Sequence, residues 1–106
     1  MTPPVTRVWQ GRTATAEAGD AYERLLRDEI LPGIHRVPGF RGATVLRRDV
    51  EDGVEFVVLT RWESLDAVRA FAGPELDVPV IEPVARALLS HAGERAFHYD
   101  TVVELD

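Results

Sequence analysis

An α+β domain in the order β-α-β-β-α-β, with one extra short helix before the last strand, is what the sequence predicts. Three observations carry this. Runs rich in Val, Thr, Phe and Trp occur at Val5–Thr13, Phe40–Asp49, Val54–Trp62 and Arg95–Leu105. The middle two are joined only by Val50-Glu51-Asp52-Gly53, and the Asp-Gly pair is a strong hairpin signal because glycine accepts positive φ. The stretches on either side of that hairpin carry apolar residues at helical spacing.

Taken in order, the first strand follows Pro3-Pro4, which cannot continue regular structure. Thr15 then caps a helix in which Tyr22, Leu25, Leu26 and Ile30 form one apolar stripe, with Glu23, Arg24, Arg27 and Asp28 between them. The helix should weaken at Leu31, since a residue before proline is disfavoured in the α region, and Gly33 follows Pro32. A further turn through Ile34 to Val37 fits before Pro38-Gly39 stops it. After the hairpin, Ser64 supplies an N-cap and Asp66 puts a negative charge in the first turn, where the helix dipole favours it. Leu65, Val68 and Phe71 make the buried stripe, and Gly73-Pro74 ends the helix. Beyond an irregular acidic link, Pro83 opens a short helix with Val84, Ala87 and Leu88 on one face, stopping near Gly93. In the last strand Phe97, Tyr99, Thr101, Val103 and Leu105 share a side. The order is the split βαβ, ferredoxin-like pattern with an antiparallel sheet. With no repeat or low-complexity tract, residues 1–106 read as a single domain.

A chain of 106 residues can bury roughly 65% of its unfolded surface without disulfides or metal. Apolar residues make up 45% and charged residues 28%, which places it among globular proteins. The net charge of −6, with no basic stripe, removes the electrostatic basis for nucleic-acid binding. Neither a signal-peptide pattern nor a long apolar run is present, so no membrane partner is expected and the cytoplasm is the expected compartment. The absence of cysteine agrees with that.

The chain also contains no lysine and no asparagine. Together with the missing cysteine, this excludes Schiff-base and P-loop lysines, thiolate nucleophiles, zinc–thiolate clusters and Asn-linked glycosylation. His35, His91, His98, Tyr22, Tyr99, the acids and the Ser and Thr hydroxyls remain for proton chemistry. The histidines are scattered, with no metal-ligand spacing, and no Gly-x-Gly-x-x-Gly occurs, so neither a metal nor a nucleotide cofactor is expected. An all-arginine, Ala- and Val-rich composition fits a high-GC bacterial genome.

The third strand bears on assembly. Phe56 and Val58 lie on one face, Val57 and Leu59 on the other. Two helices can shield only one side of such a strand, so the other side needs a cover. A second copy of the sheet is the simplest one; at about 25 cal/mol per Å2 of apolar surface it would gain several kcal/mol. A homodimer is therefore expected, the alternative being an apolar face left exposed.

Pro38-Gly39-Phe40, the run Phe56 to Thr60 ending in Arg61-Trp62-Glu63-Ser64, and Leu65 to Phe71 behind it resemble the antibiotic biosynthesis monooxygenase family of dimeric α/β barrels. The likeness covers nearly the whole chain. It implies a pocket between the helices and the sheet in each subunit, with Trp62 and Phe71 where members of the family place aromatic walls. Activities in the family include cofactor-independent oxygenation of aromatic polyketides and haem degradation. This chain departs from both in lacking the pocket asparagine, and residues 68–89 hold no histidine to serve as the iron ligand of the haem-degrading branch. Haem is thus the least supported substrate.

The resemblance implies a cofactor-free monooxygenase acting on a small aromatic quinol, phenol or anthrone. Trp62, Phe71 and Tyr22 would shape the pocket, and His98 would be the base because imidazole titrates near neutral pH. Each has a plainer reading. A Trp at the end of a central strand is commonly core, and His98 shares a strand face with Asp100 and Glu104, as a solvated edge residue would. His35 falls in a Gly/Pro loop, and Ser90 and His91 fall at a helix end, where they would cap carbonyls. Arg61 either binds an anion or pairs with a cross-strand carboxylate. A non-catalytic dimer that binds a small hydrophobic ligand fits the same residues.

Overall fold

The computed structural model describes residues 3–105. Strand β1 (Val5–Thr13) leads into helix α1 (Ala16–Leu25), capped by the Thr15 side chain, which accepts from the Ala18 N–H. The helix does not weaken at Leu31 as expected. It passes through one π-helical stretch, Leu26–Ile30, and resumes as α2 (Leu31–Ile34) with Leu31 in the ordinary α region. Pro32 then stands in the first turn of the resumed helix, where a missing N–H costs little, and the wider π turn reconciles it with the preceding chain.

Strands β2 (Phe40–Val50) and β3 (Gly53–Trp62) form the hairpin, each one residue longer at the turn than expected. Only Glu51 and Asp52 connect them, and Gly53 already pairs with Val50. Gly53 has φ 137° and lies against the Thr13 carbonyl, where a Cβ would collide with the backbone. Helix α3 (Leu65–Ala72) is capped by Ser64, whose Oγ accepts from the Ala67 N–H at 3.2 Å, and stops at Gly73 in a positive-φ conformation.

The C-terminal third departs furthest from the sequence reading. Helix α4 is a single turn, Pro83–Arg86, and buries Ala85, while Val84 and Ala87 face outward. A one-turn helix has no periodicity long enough to fix its inner face from sequence. His91 is not at a helix end but in the two-residue strand β4 (His91–Ala92), paired with Arg12 of β1. Ser90 accompanies it by donating to the Arg12 carbonyl. The last strand, β5, is only Phe97–Asp100 rather than Arg95–Leu105. Its ladder ends where its template does: Asp100 opposes Val5, the first residue of β1, and the Thr101 N–H bonds the Pro4 carbonyl. At the other end Ala96 is drawn off to the Asp77 carbonyl.

The strands form one antiparallel sheet in the order β2-β3-β1, with β4 and β5 both along the far side of β1. This is the ferredoxin-like α+β arrangement, with the extra short helix in place. All helices lie on one face, because alternate residues of β3, Val54, Phe56, Thr60 and Trp62, are buried there. The core falls into two groups. Tyr22, Leu25, Leu26, Val54, Phe56 and Ala85 pack at one end, with Tyr22 edge-on to Phe56 at 4.9 Å, and Val5, Trp62 and Val68 pack at the other. Among the described residues no helix is long and apolar enough to cross a membrane.

Candidate functional site

Between the two groups a cavity of about 80 Å3 remains. Its floor is the helix-facing side of β1 and β3. Inward alternation brings Arg7 and Trp9 opposite Thr60 and Val58, and all four line the cavity. Tyr22 and Leu26 supply one wall and Phe71 of α3 another. The irregular segment between α3 and α4 lies across it through Pro79, Val80 and Ile81, with the exposed Glu82 at its edge.

Among the residues expected from the sequence, Tyr22 and Phe71 line this space directly. Burial pushes the Tyr22 hydroxyl up to about 12, so it stays protonated at neutral pH and keeps an O–H that can donate into the cavity. Trp62 does not reach the cavity. It is wholly buried behind Phe71, stacked at 5.2 Å between ring centroids and 29° between planes, and its Nε1 donates to Thr60 Oγ1 at 2.9 Å. The short Ser64 connection does place the two aromatic rings together, but in depth rather than side by side on one surface.

His98 lies opposite Arg7 in the β1–β5 ladder, and its side chain is almost covered. It does not line the cavity. Arg7 Nη1 donates to His98 Nε2 at 2.8 Å, which requires that nitrogen to carry a lone pair and puts the ring proton on Nδ1, toward Asp77 Oδ1 at 3.8 Å. Burial lowers the His98 pKa, the Arg7 charge lowers it further, and Asp77 opposes both. The imidazole is therefore held neutral, with its basic nitrogen already engaged.

Trp9 and Arg7 line the cavity without having been singled out by the sequence pattern, and Arg7 is the charged one. It is 6% exposed, on the inward face of β1 between Val5 and Trp9. Its guanidinium donates to the carbonyls of Leu76 at 2.7 Å and Val78 at 3.1 Å and lies 5.9 Å from the Phe71 ring centre. Burial lowers its pKa, with Asp77 acting the other way. A signal existed in the alternation Val5, Arg7, Trp9, Gly11, where one charged residue interrupts an otherwise inward-facing series.

The other candidates fall elsewhere. His35 is exposed and edge-on to Phe40 at 5.8 Å, and His91 is exposed on β4. Arg61 points to the helix-free face and donates to Thr44 Oγ1 at 3.0 Å, a cross-strand hydroxyl and not a carboxylate. Among the described residues no three His, Asp or Glu side chains are grouped as metal ligands.

An aromatic-walled cavity with one buried cation thus lies between the helices and an antiparallel sheet in an α+β domain of ferredoxin-like order. Residues 8–75, more than half of the chain, match the sequence profile of the family described as antibiotic biosynthesis monooxygenase. The chain belongs to that family. Among solved structures, SnoaB, a cofactor-independent oxygenase from Streptomyces nogalater, is 25% identical over 98% of each chain, with a TM-score of 0.60. The monooxygenase of ActVA-Orf6 from Streptomyces coelicolor, crystallised with nanaomycin D, is 20% identical over 98% of this chain and 91% of its own, with a TM-score of 0.62. A heme-degrading protein from Mycobacterium tuberculosis is 24% identical over 100% and 99% of the two chains, with a TM-score of 0.66. The last two likenesses establish the fold alone. No curated protein matches the sequence.

Proposed function

We propose that this protein is a cofactor-independent monooxygenase of a small aromatic substrate with an ionisable hydroxyl: a quinol, phenol or anthrone. The observation that carries the reading is the cavity itself, apolar and aromatic on its walls, with Arg7 as the one cation lining it among the described residues. In such a reaction the substrate supplies the electrons. At the CH2 of an anthrone, or at the same carbon of a phenol or quinol in its keto form, two hydrogens are given up, one atom of O2 becomes the new C=O oxygen, and the other leaves as water. The protein excludes bulk water, holds the ring and stabilises the developing oxyanion. Tyr22 and Phe71 hold the ring, Trp62 fixes Phe71 from behind, and His98 keeps Arg7 in place instead of acting as the base. At about 80 Å3 the cavity is well below the ~300–1,000 Å3 of most ligand sites, so the segment across it moves when such a substrate enters.

A second reading, a non-catalytic ligand-binding protein, is favoured by one fact: among the described residues no side chain with a free basic nitrogen lines the cavity. Oxygen uptake with a panel of quinols separates the two. Uptake with one atom of 18O2 incorporated into each product molecule supports the oxygenase, uptake that yields only quinone and peroxide counts against it, and tight binding without uptake supports the carrier.

The whole of residues 1–106 acts as one domain in either case, in the cytoplasm, as a homodimer. The helix-free face of the sheet supports the dimer. Leu46, Phe97 and Tyr99 stand there 51%, 57% and 58% exposed, beside the half-buried Val8, Val57 and Leu59. A contiguous apolar face of this kind calls for a partner.

A further inference from the structure

We propose that Arg7 is the ligand-orienting group of the cavity and that it selects aromatic ligands bearing an anionic oxygen over neutral aromatics of the same shape. This rests on the oxygenase or carrier reading of the same cavity and narrows its ligand to aryl oxyanions, either phenolates or aryl carboxylates.

Arg7 is almost completely buried, yet among the described residues it forms no ion pair. Its three hydrogen bonds go to neutral acceptors, the Leu76 and Val78 carbonyls and the His98 imidazole. A guanidinium has five N–H groups and stays protonated in proteins, so donors are left over. A buried cation without an anion is costly, and an anion arriving from the cavity side supplies the missing half of a pair.

The surroundings agree with an anion of aromatic type. Arg7 lies over Phe71, so an oxyanion at the guanidinium carries its ring into the space between Phe71 and Tyr22. The Tyr22 hydroxyl, protonated at neutral pH, is a further donor on the same cavity. Charged groups facing Arg7 from other elements are few. His98 on β5 is neutral and points its lone pair at Arg7, and Asp77 is mostly exposed and attracts it from a distance. Glu82 is exposed at the cavity edge, where water screens its repulsion of an incoming anion. The competing role is purely structural: through Leu76 and Val78, Arg7 ties down the segment lying across the cavity.

The experiment measures binding of 4-nitrophenol, 4-nitrobenzoate and the neutral isostere 4-nitroanisole to the full chain at a pH where the phenol is ionised. An orienting Arg7 gives at least about tenfold tighter binding of one or both anions than of 4-nitroanisole, equivalent to ~1.4 kcal/mol. The phenolate and the carboxylate arms tell the two anion types apart. For the phenol, the visible phenolate band also reports ionisation in the bound state, and its apparent pKa should fall by about one unit in the native protein. In Arg7→Met both the preference and the pKa shift should vanish, whereas Arg7→Lys keeps a preference for anions. A clamp without a ligand role would move neither. Equal affinity of the native protein for anions and 4-nitroanisole overturns the proposal and leaves the aromatic-pocket reading standing. Failure of all three probes to bind overturns both. Should Arg7→Met not fold, the comparison of anion with anisole on the native protein decides alone.

Discussion

Arg7 on β1 and His98 on β5 stand opposite one another in the sheet, and the guanidinium donates to the imidazole Nε2 at 2.8 Å. A cation donating to a histidine permits only the neutral ring. Arg7 in turn holds the carbonyls of Leu76 and Val78, so one strand pair fixes the segment that lies across the cavity.

Stability should therefore depend on pH through His98. Its folded pKa is lowered, first by burial and then by Arg7, so the unfolded chain binds the proton more readily. The stabilisation is fully present above the unfolded value of about 6.5 and is lost as pH falls from there through the folded pKa. Denaturation midpoints should thus decline between about pH 7 and the acid side of the folded pKa. His98→Gln, whose amide oxygen can accept from Arg7, should flatten this part of the profile. An unchanged slope in the variant would assign the pH dependence to other groups.

Phe71 and Trp62 should separate binding from stability. Phe71 lines the cavity and is only half-buried, so Phe71→Leu should weaken an aromatic ligand several-fold with a modest loss of stability. Trp62→Phe removes buried area and the bond to Thr60, and should cost about 1–3 kcal/mol while changing affinity little. The opposite pattern, intact stability with lost affinity in Trp62→Phe, would put the indole in contact with ligand.

Much of this fold was legible because its signals are local and repeated. The Thr15 and Ser64 caps, the Asp52-Gly53 turn and the two long amphipathic helices each follow from a few neighbouring residues. Legibility failed where a distant partner decides. The end of β5 depends on where β1 starts, and the inner face of α4 depends on Ala85 joining the core group of Tyr22 and Leu26. The site was half visible. Aromatic residues at Tyr22 and Phe71 announce themselves as apolar, whereas the roles of Arg7 and His98 arise from a strand pairing between residues 91 positions apart.

Haem should not be a substrate. The chain lacks asparagine, and none of its histidines lines the cavity: His35 and His91 are exposed, and the accepting nitrogen of His98 is taken by Arg7. Titration with hemin is expected to give only weak, nonspecific spectral change. A sharp Soret band from a stoichiometric complex, lost on adding reductant under oxygen, would contradict this.

The dimer prediction rests on the helix-free face of the sheet. β3 presents Val57 and Leu59 there, β2 adds Leu46, and β5 adds Phe97 and Tyr99, a face too apolar to remain in water when an identical face is available on every other molecule. Sedimentation at low micromolar concentration should show a species of twice 11.8 kDa. Leu46→Arg and Phe97→Asp each put a charge into the contact, yet both positions are more than half exposed in the isolated chain, so the fold should survive while association is weakened. Circular dichroism that is unchanged together with a shift to the single-chain mass is the expected result. A native protein that sediments only at 11.8 kDa would overturn the homodimer and leave the apolar face exposed.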